Sequence, residues 1–99
     1  MARVEFAERV LEDFDRIATH LQAHEPGPAA ANRLGAIVSA MEVLESNPCI
    51  GRPVEGGKGE LVIGHDAQGY LALYVFIETA DTVVVLALRS QREAAYTLR

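Results

Sequence analysis

Tyr70-Leu71-Ala72-Leu73-Tyr74-Val75-Phe76-Ile77-Glu78-Thr79-Ala80-Asp81-Thr82-Val83-Val84-Val85-Leu86-Ala87-Leu88-Arg89 decides the fold. Its first half is almost wholly apolar, with no polar-apolar alternation, so it predicts a central strand covered on both faces. Glu78-Thr79-Ala80-Asp81 is too short to carry a crossover, so the second run, 82–89, returns antiparallel beside the first. Upstream, Leu61-Val62-Ile63 reads as a short strand joined to the central one through the turn Asp66-Ala67-Gln68-Gly69. Together the three runs make an antiparallel meander.

Before the meander the apolar period changes from that of a strand to that of a helix. Val10, Phe14, Ile17 and Leu21 fall at i, i+4, i+7 and i+11, widened by Leu11 and Ala18, which predicts an amphipathic helix over about 7–24. Its acids, Glu8, Glu12, Asp13 and Asp15, are expected on the water side. Glu25-Pro26-Gly27-Pro28 ends it, because proline cannot continue the helical hydrogen bonding. A second helix over about 29–46 carries Leu34, Ile37, Val38, Met41 and Leu44 on one stripe and stops at Asn47-Pro48. The short connection makes the two helices an antiparallel hairpin. Arg3-Val4-Glu5-Phe6 alternates and suits a short N-terminal strand.

The expected architecture is therefore α+β, in the order β-α-α-β-β-β. A short N-terminal strand and a helix hairpin precede the three-stranded meander, and the helices cover one face of the sheet. The 99 residues suit one domain, 1–99. Residues 49–59 hold four of the eight glycines and read as a long irregular loop. A short tail after Arg89 closes the chain; were it helical, Arg92 and Tyr96, four residues apart, would share a face.

A net charge of −5 argues against a general nucleic-acid coat protein, which needs a basic surface. The C-terminal segment 82–99 runs the other way: Arg89, Arg92 and Arg99 against Glu93 sum to +2. The single cysteine, Cys49, allows no internal disulfide. The start lacks the apolar core of a signal peptide, and no apolar stretch is long enough to span a bilayer. The expected setting is cytoplasmic, without a membrane partner.

Each candidate for chemistry has a structural alternative. His20 and His24 share a helix face and could hold a metal ion, but no third ligand is apparent, so two surface histidines near a helix C-terminus are favoured. Cys49 reads as a small buried apolar group rather than a nucleophile. Gly56-Gly57-Lys58-Gly59 lacks both the spacing and the following helix of a phosphate loop. Gly51-Arg52-Pro53 presents an arginine on a stiffened segment, where a structural role is favoured, its stem covering the sheet edge or its head binding a loop carbonyl. Arg89, Arg92 and Tyr96 gather arginine and phenol, groups able to clamp a phosphate, stack on a base or move a proton. The alternative is that Arg92 pairs with Glu93 or an acid of the first helix while Tyr96 packs on the core. No cofactor or metal is expected.

The order of these motifs resembles the RelE/ParE toxins of bacterial type II toxin–antitoxin modules over essentially the full chain. The resemblance rests on Gly51-Arg52-Pro53, Glu60 to Gly64, Gly69 to Tyr74 and Arg89 to Tyr96. It implies a small toxin neutralised by a cognate antitoxin. It also implies one of two activities: RelE-like members cut mRNA in the ribosome with basic residues and a C-terminal tyrosine, whereas ParE-like members inhibit DNA gyrase. A nuclease would work with Arg52, Arg89, Arg92 and Tyr96; in a gyrase inhibitor the same four residues are the expected target-binding set. Aligned on Tyr96, Ser90 stands where the nuclease pattern carries an arginine, with Arg89 facing the other way. The lysine-rich stretch before the sheet is reduced to Lys58, and His65 replaces a frequent arginine. These departures favour the ParE side, a binding protein without sequence-specific nucleic-acid contacts. The rivals are the RelE-like endonuclease and a degenerate, non-toxic antitoxin-binding homologue.

Overall fold

A computed structural model describes residues 1–25, 27–64, 69–93 and 95–96. The elements are β1 (Arg3–Phe6), α1 (Glu8–His24), α2 (Pro28–Glu42), β2 (Arg52–Val54), β3 (Lys58–Ile63), β4 (Tyr70–Ile77) and β5 (Thr82–Ser90). Short 3-10 turns occupy Val43–Glu45, Glu55–Gly57 and Glu78–Ala80. The expected α+β order holds, with one addition. Residues 52–54, read as loop, form an edge strand that pairs antiparallel with β3, so the sheet has five strands in the order β1-β5-β4-β3-β2. Of the turn expected at 66–69, Asp66, Ala67 and Gln68 lie outside the described residues, as do Pro26 and His65.

The continuous apolar run 70–77 sits at the centre of the sheet, between β3 and β5, both antiparallel to it. β1 closes the far edge parallel to β5, in register from Arg3 with Thr82 to Phe6 with Val85. One face of the sheet packs on the helices. Tyr70, Ala72 and Tyr74 of β4, Val83, Val85 and Leu88 of β5, and Leu61 and Ile63 of β3 join Val10, Ile17, Leu21, Ile37, Met41 and Leu44 in one core. Burying a side chain the size of Ile37 or Leu44 completely contributes roughly 2 kcal/mol. Leu71 and Leu73 of β4 and Ala87 of β5 are also buried but belong to the opposite, outer face.

Two helix expectations change. Leu11 and Val38, placed on the apolar stripes, are exposed. Asp13, expected in water, is fully buried. The reason lies in the sheet. β1 leaves β5 after Val85, so the backbone of β5 beyond that point has no strand on that side. Helix α1 takes over: Oδ2 of Asp13 accepts the N–H of Leu88 at 3.0 Å, and Nη2 of Arg16 donates to the Leu88 carbonyl at 3.3 Å. A buried, unpaired peptide group would be costly, and two side chains one helical turn apart supply what a strand would have supplied. Arg16 also donates to Asp13 at 2.7 Å, so the buried carboxylate is paired as well as hydrogen-bonded.

Candidate functional site

Residues directly opposite in an antiparallel ladder project to the same face, and alternate residues along a strand do too. Arg52 of β2 pairs with Glu60 of β3, Glu60 with Leu73 of β4, and Leu73 with Ala87 of β5. That row crosses the outer face. In the next row Val62 pairs with Leu71 and Leu71 with Arg89. Arg52, Glu60 and Arg89 therefore rise from three different strands on one side of the sheet, with Lys58 two residues before Glu60 on the same side.

The tail brings the fourth group. After Ser90 the chain turns: the Glu93 N–H donates to the Ser90 carbonyl at 3.0 Å, and the Arg89 guanidinium donates to the Glu93 carbonyl. The Glu93 carboxylate accepts the Ser90 N–H at 3.2 Å and Arg16 of α1 at 3.0 Å. Helix α1 thus holds the root of the tail. Beyond that anchor the tail passes to the outer face, where the Tyr96 hydroxyl donates to Oε2 of Glu60 at 2.6 Å. The Tyr96 ring stacks on the Arg89 guanidinium, 5.0 Å from ring centroid to Cζ, within cation–π range. Tyr96 thus links β5, through Arg89, to β3, through Glu60.

Glu60 is the hub. It is only 6% exposed. One carboxylate oxygen takes the Nε of Arg52 at 2.8 Å, and its Nη2 as well, while the other takes Tyr96. Burial alone would push the Glu60 carboxyl up. The Tyr96 hydrogen bond, the Arg52 hydrogen bonds and the charges of Arg52 and Arg89 outweigh it and hold Glu60 below the usual carboxylate range. The Tyr96 phenol is displaced the other way: burial, the hydrogen bond to Glu60 and the Glu60 charge push it well up, against Arg89. The Nε of Arg89 is buried with no hydrogen-bond partner among the described residues.

A glycine pair shapes the floor. The Gly51 N–H donates to the Tyr74 hydroxyl at 2.9 Å, which anchors the start of β2. A Cβ on Gly51 would sit 2.7 Å from the Tyr74 ring, and one on Gly59 would do the same. Glycine at 51 thus lets β2 lie against Tyr74 and present Arg52.

Of the four residues singled out from sequence, the structure brings together Arg52, Arg89 and Tyr96. Arg92 is elsewhere: its side chain is exposed and lines a cleft of about 500 Å³ with Arg16, His20, Tyr70, Ser90 and Glu93, on the helix side of the sheet. The described tail residues form a turn and irregular chain rather than a helix, so Arg92 and Tyr96 share no face. Glu93 pairs with Arg16, not with Arg92. As expected, Arg89 and Ser90 face opposite sides of the sheet, but Tyr96 lies with Arg89 rather than with Ser90. The tail crosses to the side of Arg89, and Ser90 faces the cleft. Glu60 was missed; it reads as an ordinary outward residue in Glu60-Leu61-Val62.

Outside this cluster, His20 and His24 stack with ring centroids 4.2 Å apart, and His24 Nδ1 lies 2.9 Å from the His20 carbonyl oxygen. Among the described residues no three His, Cys, Asp or Glu side chains converge as metal ligands do. Cys49 is exposed rather than buried. Among the described residues no helix is long and apolar enough to cross a membrane.

The sequence profile of the family described as "ParE toxin of type II toxin-antitoxin system, parDE" matches residues 4–95. The chain belongs to this ParE family of type II toxin–antitoxin toxins, within the wider RelE/ParE group. Among solved structures, a chain of the chromosomal ParDE TA system from P. aeruginosa superposes with a TM-score of 0.77 at 19% identity, covering 91% of this chain and 96% of that one. A chain of the intact E. coli RelBE toxin-antitoxin complex gives 0.60 at 15% identity, covering 91% and 96%. One from the RelBE2 complex of Mycobacterium tuberculosis gives 0.63 at 21%, covering 90% and 96%. At these identities the likeness establishes the shared fold. Among curated proteins no sequence match was found.

Proposed function

We propose that this toxin acts by binding, as an inhibitor of DNA gyrase, and that a cognate antitoxin neutralises it. One observation carries the choice of binding over cutting: the Tyr96 hydroxyl donates to Glu60. To accept a proton from an attacking ribose hydroxyl, Tyr96 would need to be a phenolate, and burial together with Glu60 opposes that form. To give a proton to a leaving group, it would have to break a 2.6 Å bond to a carboxylate. Arg52, which a nuclease would aim at the scissile phosphate, is directed at the same carboxylate. Membership of the ParE family, a resemblance to which implies gyrase inhibition, supports gyrase as the target.

The antitoxin is supported by apolar side chains left in water. Leu11, Val38, Val43 and Ile50 are all exposed, apolar side chains that the apolar face of an amphipathic segment would cover. The expected partner is encoded by a short neighbouring gene with a DNA-binding N-terminus and an amphipathic C-terminus. The RelE-like reading has one observation in its favour, the stacking of Arg89 on Tyr96.

Expression without antitoxin tests the proposal. Filamentation, a DNA-damage response and gyrase–DNA cleavage complexes are the expected results. Rapid translation arrest with mRNA cut at ribosomal A sites would sink it, and an absence of any growth defect would favour a degenerate toxin.

A further inference from the structure

We infer that Glu93, clamped by Arg16 of α1, is a positioning residue for the outer face: it sets the backbone turn that holds the Arg89 guanidinium and, through that guanidinium, the ring of Tyr96. The importance of this placement rests on the reading of Arg89 and Tyr96 as target contacts; the placement itself is tested without any target.

The connection runs from atom to atom. Among the described residues, the acceptors of the Arg89 guanidinium are two backbone carbonyls, that of Ser90 at 3.5 Å and that of Glu93. Both belong to the turn that follows β5. That turn is closed by the Glu93 N–H, which donates to the Ser90 carbonyl at 3.0 Å, and by the Glu93 carboxylate, which accepts the Ser90 N–H at 3.2 Å. The same carboxylate accepts Nη2 of Arg16, at 3.2 and 3.0 Å from its two oxygens. Glu93 therefore grips the helix with its side chain and the outer-face arginine with its backbone. The guanidinium so placed lies 5.0 Å from the centroid of the Tyr96 ring, whose hydroxyl reaches Glu60.

Arg16 can serve as the anchor because it is itself fixed. The fully buried Asp13 takes its Nη1 at 2.7 Å, and the Leu88 carbonyl takes its Nη2 at 3.3 Å. An isolated, part-exposed ion pair holds a chain end weakly, since ordering two long side chains offsets most of the attraction. Here the guanidinium is ordered beforehand by α1 and β5, so Glu93 meets a donor that has little freedom left to lose. Without this clamp the single bond from Tyr96 to Glu60 would have to order the whole tail. With it, that bond orders only the short stretch beyond Glu93.

The test is the phenolate absorbance of Tyr96 in the full chain, isolated in each background by subtracting the matching Tyr96→Phe protein. Glu93→Ala removes the carboxylate and leaves Glu60, Arg89 and Tyr96 in place. Tyr96 is expected to ionise at least about one pH unit lower in this variant than in the parent, because a phenol no longer held against a buried carboxylate returns toward its ordinary range. Glu93→Gln loses the same charge but keeps an acceptor oxygen for Arg16 and Ser90, so it is expected to fall between Glu93→Ala and the parent. Glu93→Ser stands in for Glu93→Ala should that variant fold poorly. Ile37→Val, a lost methyl in the core on the helix side, controls for reduced stability alone and should leave the Tyr96 titration where it is. Parental ionisation of Tyr96 in a folded Glu93→Ala or Glu93→Ser protein would overturn the inference. So would an equal shift in Glu93→Gln, which would make the effect one of charge alone, or an equal shift in Ile37→Val. The gyrase assay plays no part in this titration, so the two readings fail separately.

Discussion

The Tyr96 hydroxyl and Glu60 Oε2 are 2.6 Å apart, although the two residues lie 36 positions apart in sequence. This bond fastens the tail to the outer face, and its root is fastened separately, through Glu93 to Arg16 of α1. Glu93 and Tyr96 therefore engage opposite sides of the sheet. The helix side holds the turn at 90–93, and the outer side holds the phenol.

The first prediction follows from the phenol. A tyrosine whose folded pKa is raised stabilises the fold below the unfolded value, about 10, and that contribution is lost as pH rises through the folded value. Subtracting the phenolate absorbance titration of Tyr96→Phe from that of the parent should show Tyr96 ionising above the ordinary range. Glu60→Gln should move it back down. Ionisation near the ordinary value in the parent would mean the bond to Glu60 is not kept in solution.

Glu60 gives the opposite limb. Its folded pKa is lowered, so its stabilisation is fully present above the unfolded value, about 4.3, and is lost as pH falls through the folded one. Thermal unfolding followed downward from neutral pH should show the parent losing more stability than Glu60→Gln. Parallel acid profiles would contradict the assigned pairing.

Asp13 should be among the most sensitive positions in α1. Asp13→Ala leaves the Leu88 N–H and Arg16 without their buried acceptor, a loss of about 3 kcal/mol. Asp13→Asn keeps an acceptor oxygen for Leu88 and should cost distinctly less. Chemical denaturation of the two variants gives the comparison, and equal losses would show that the charge, not the backbone bond, dominates.

How far these features were legible in the sequence depends on how local their causes are. β4 and β5 announce themselves because a strand covered on both faces must be apolar at every position. Asp13 and Arg16, three residues apart, read as a surface pair. Only the early departure of β1 from β5 makes Asp13 interior, and nothing within the helix reports that. β2 is three residues long and contains Pro53, so it has too little pattern to distinguish it from loop; its pairing with β3 exists because Gly51 lets it approach Tyr74. Glu60 occupies an outward position in a half-alternating strand. Its importance appears only once Arg52 and Tyr96, 8 and 36 residues away, are folded onto it. Arg89 and Tyr96 meet because the tail reverses, which a helical reading of their spacing does not anticipate.

Gly51 carries a sharper expectation than its loop-like surroundings suggest. In Gly51→Ala the new methyl would meet Tyr74 at 2.7 Å and the Glu60 carbonyl oxygen at 2.9 Å. Relief requires β2 to lift from the sheet, at about 1–3 kcal/mol. Hydrogen exchange should report weakened protection along β2 and β3, and the Arg52 contact to Glu60 should loosen. An unchanged exchange pattern would show that Tyr74 can move aside freely.

Arg92 separates target contact from structural support. Its side chain is exposed and makes no hydrogen bond or ion pair among the described residues, so Arg92→Ala should leave the unfolding free energy within about 0.5 kcal/mol of the parent. It lines the helix-side cleft together with His20, which makes His20→Ala a matched control on the same surface. In growth assays without antitoxin, Arg92→Ala should reduce toxicity more than His20→Ala does, because an exposed guanidinium at the tail is suited to gripping an acidic or phosphate-bearing target. Equal toxicity of Arg92→Ala and the parent would remove Arg92 from the target-binding surface and leave that role to the outer-face cluster.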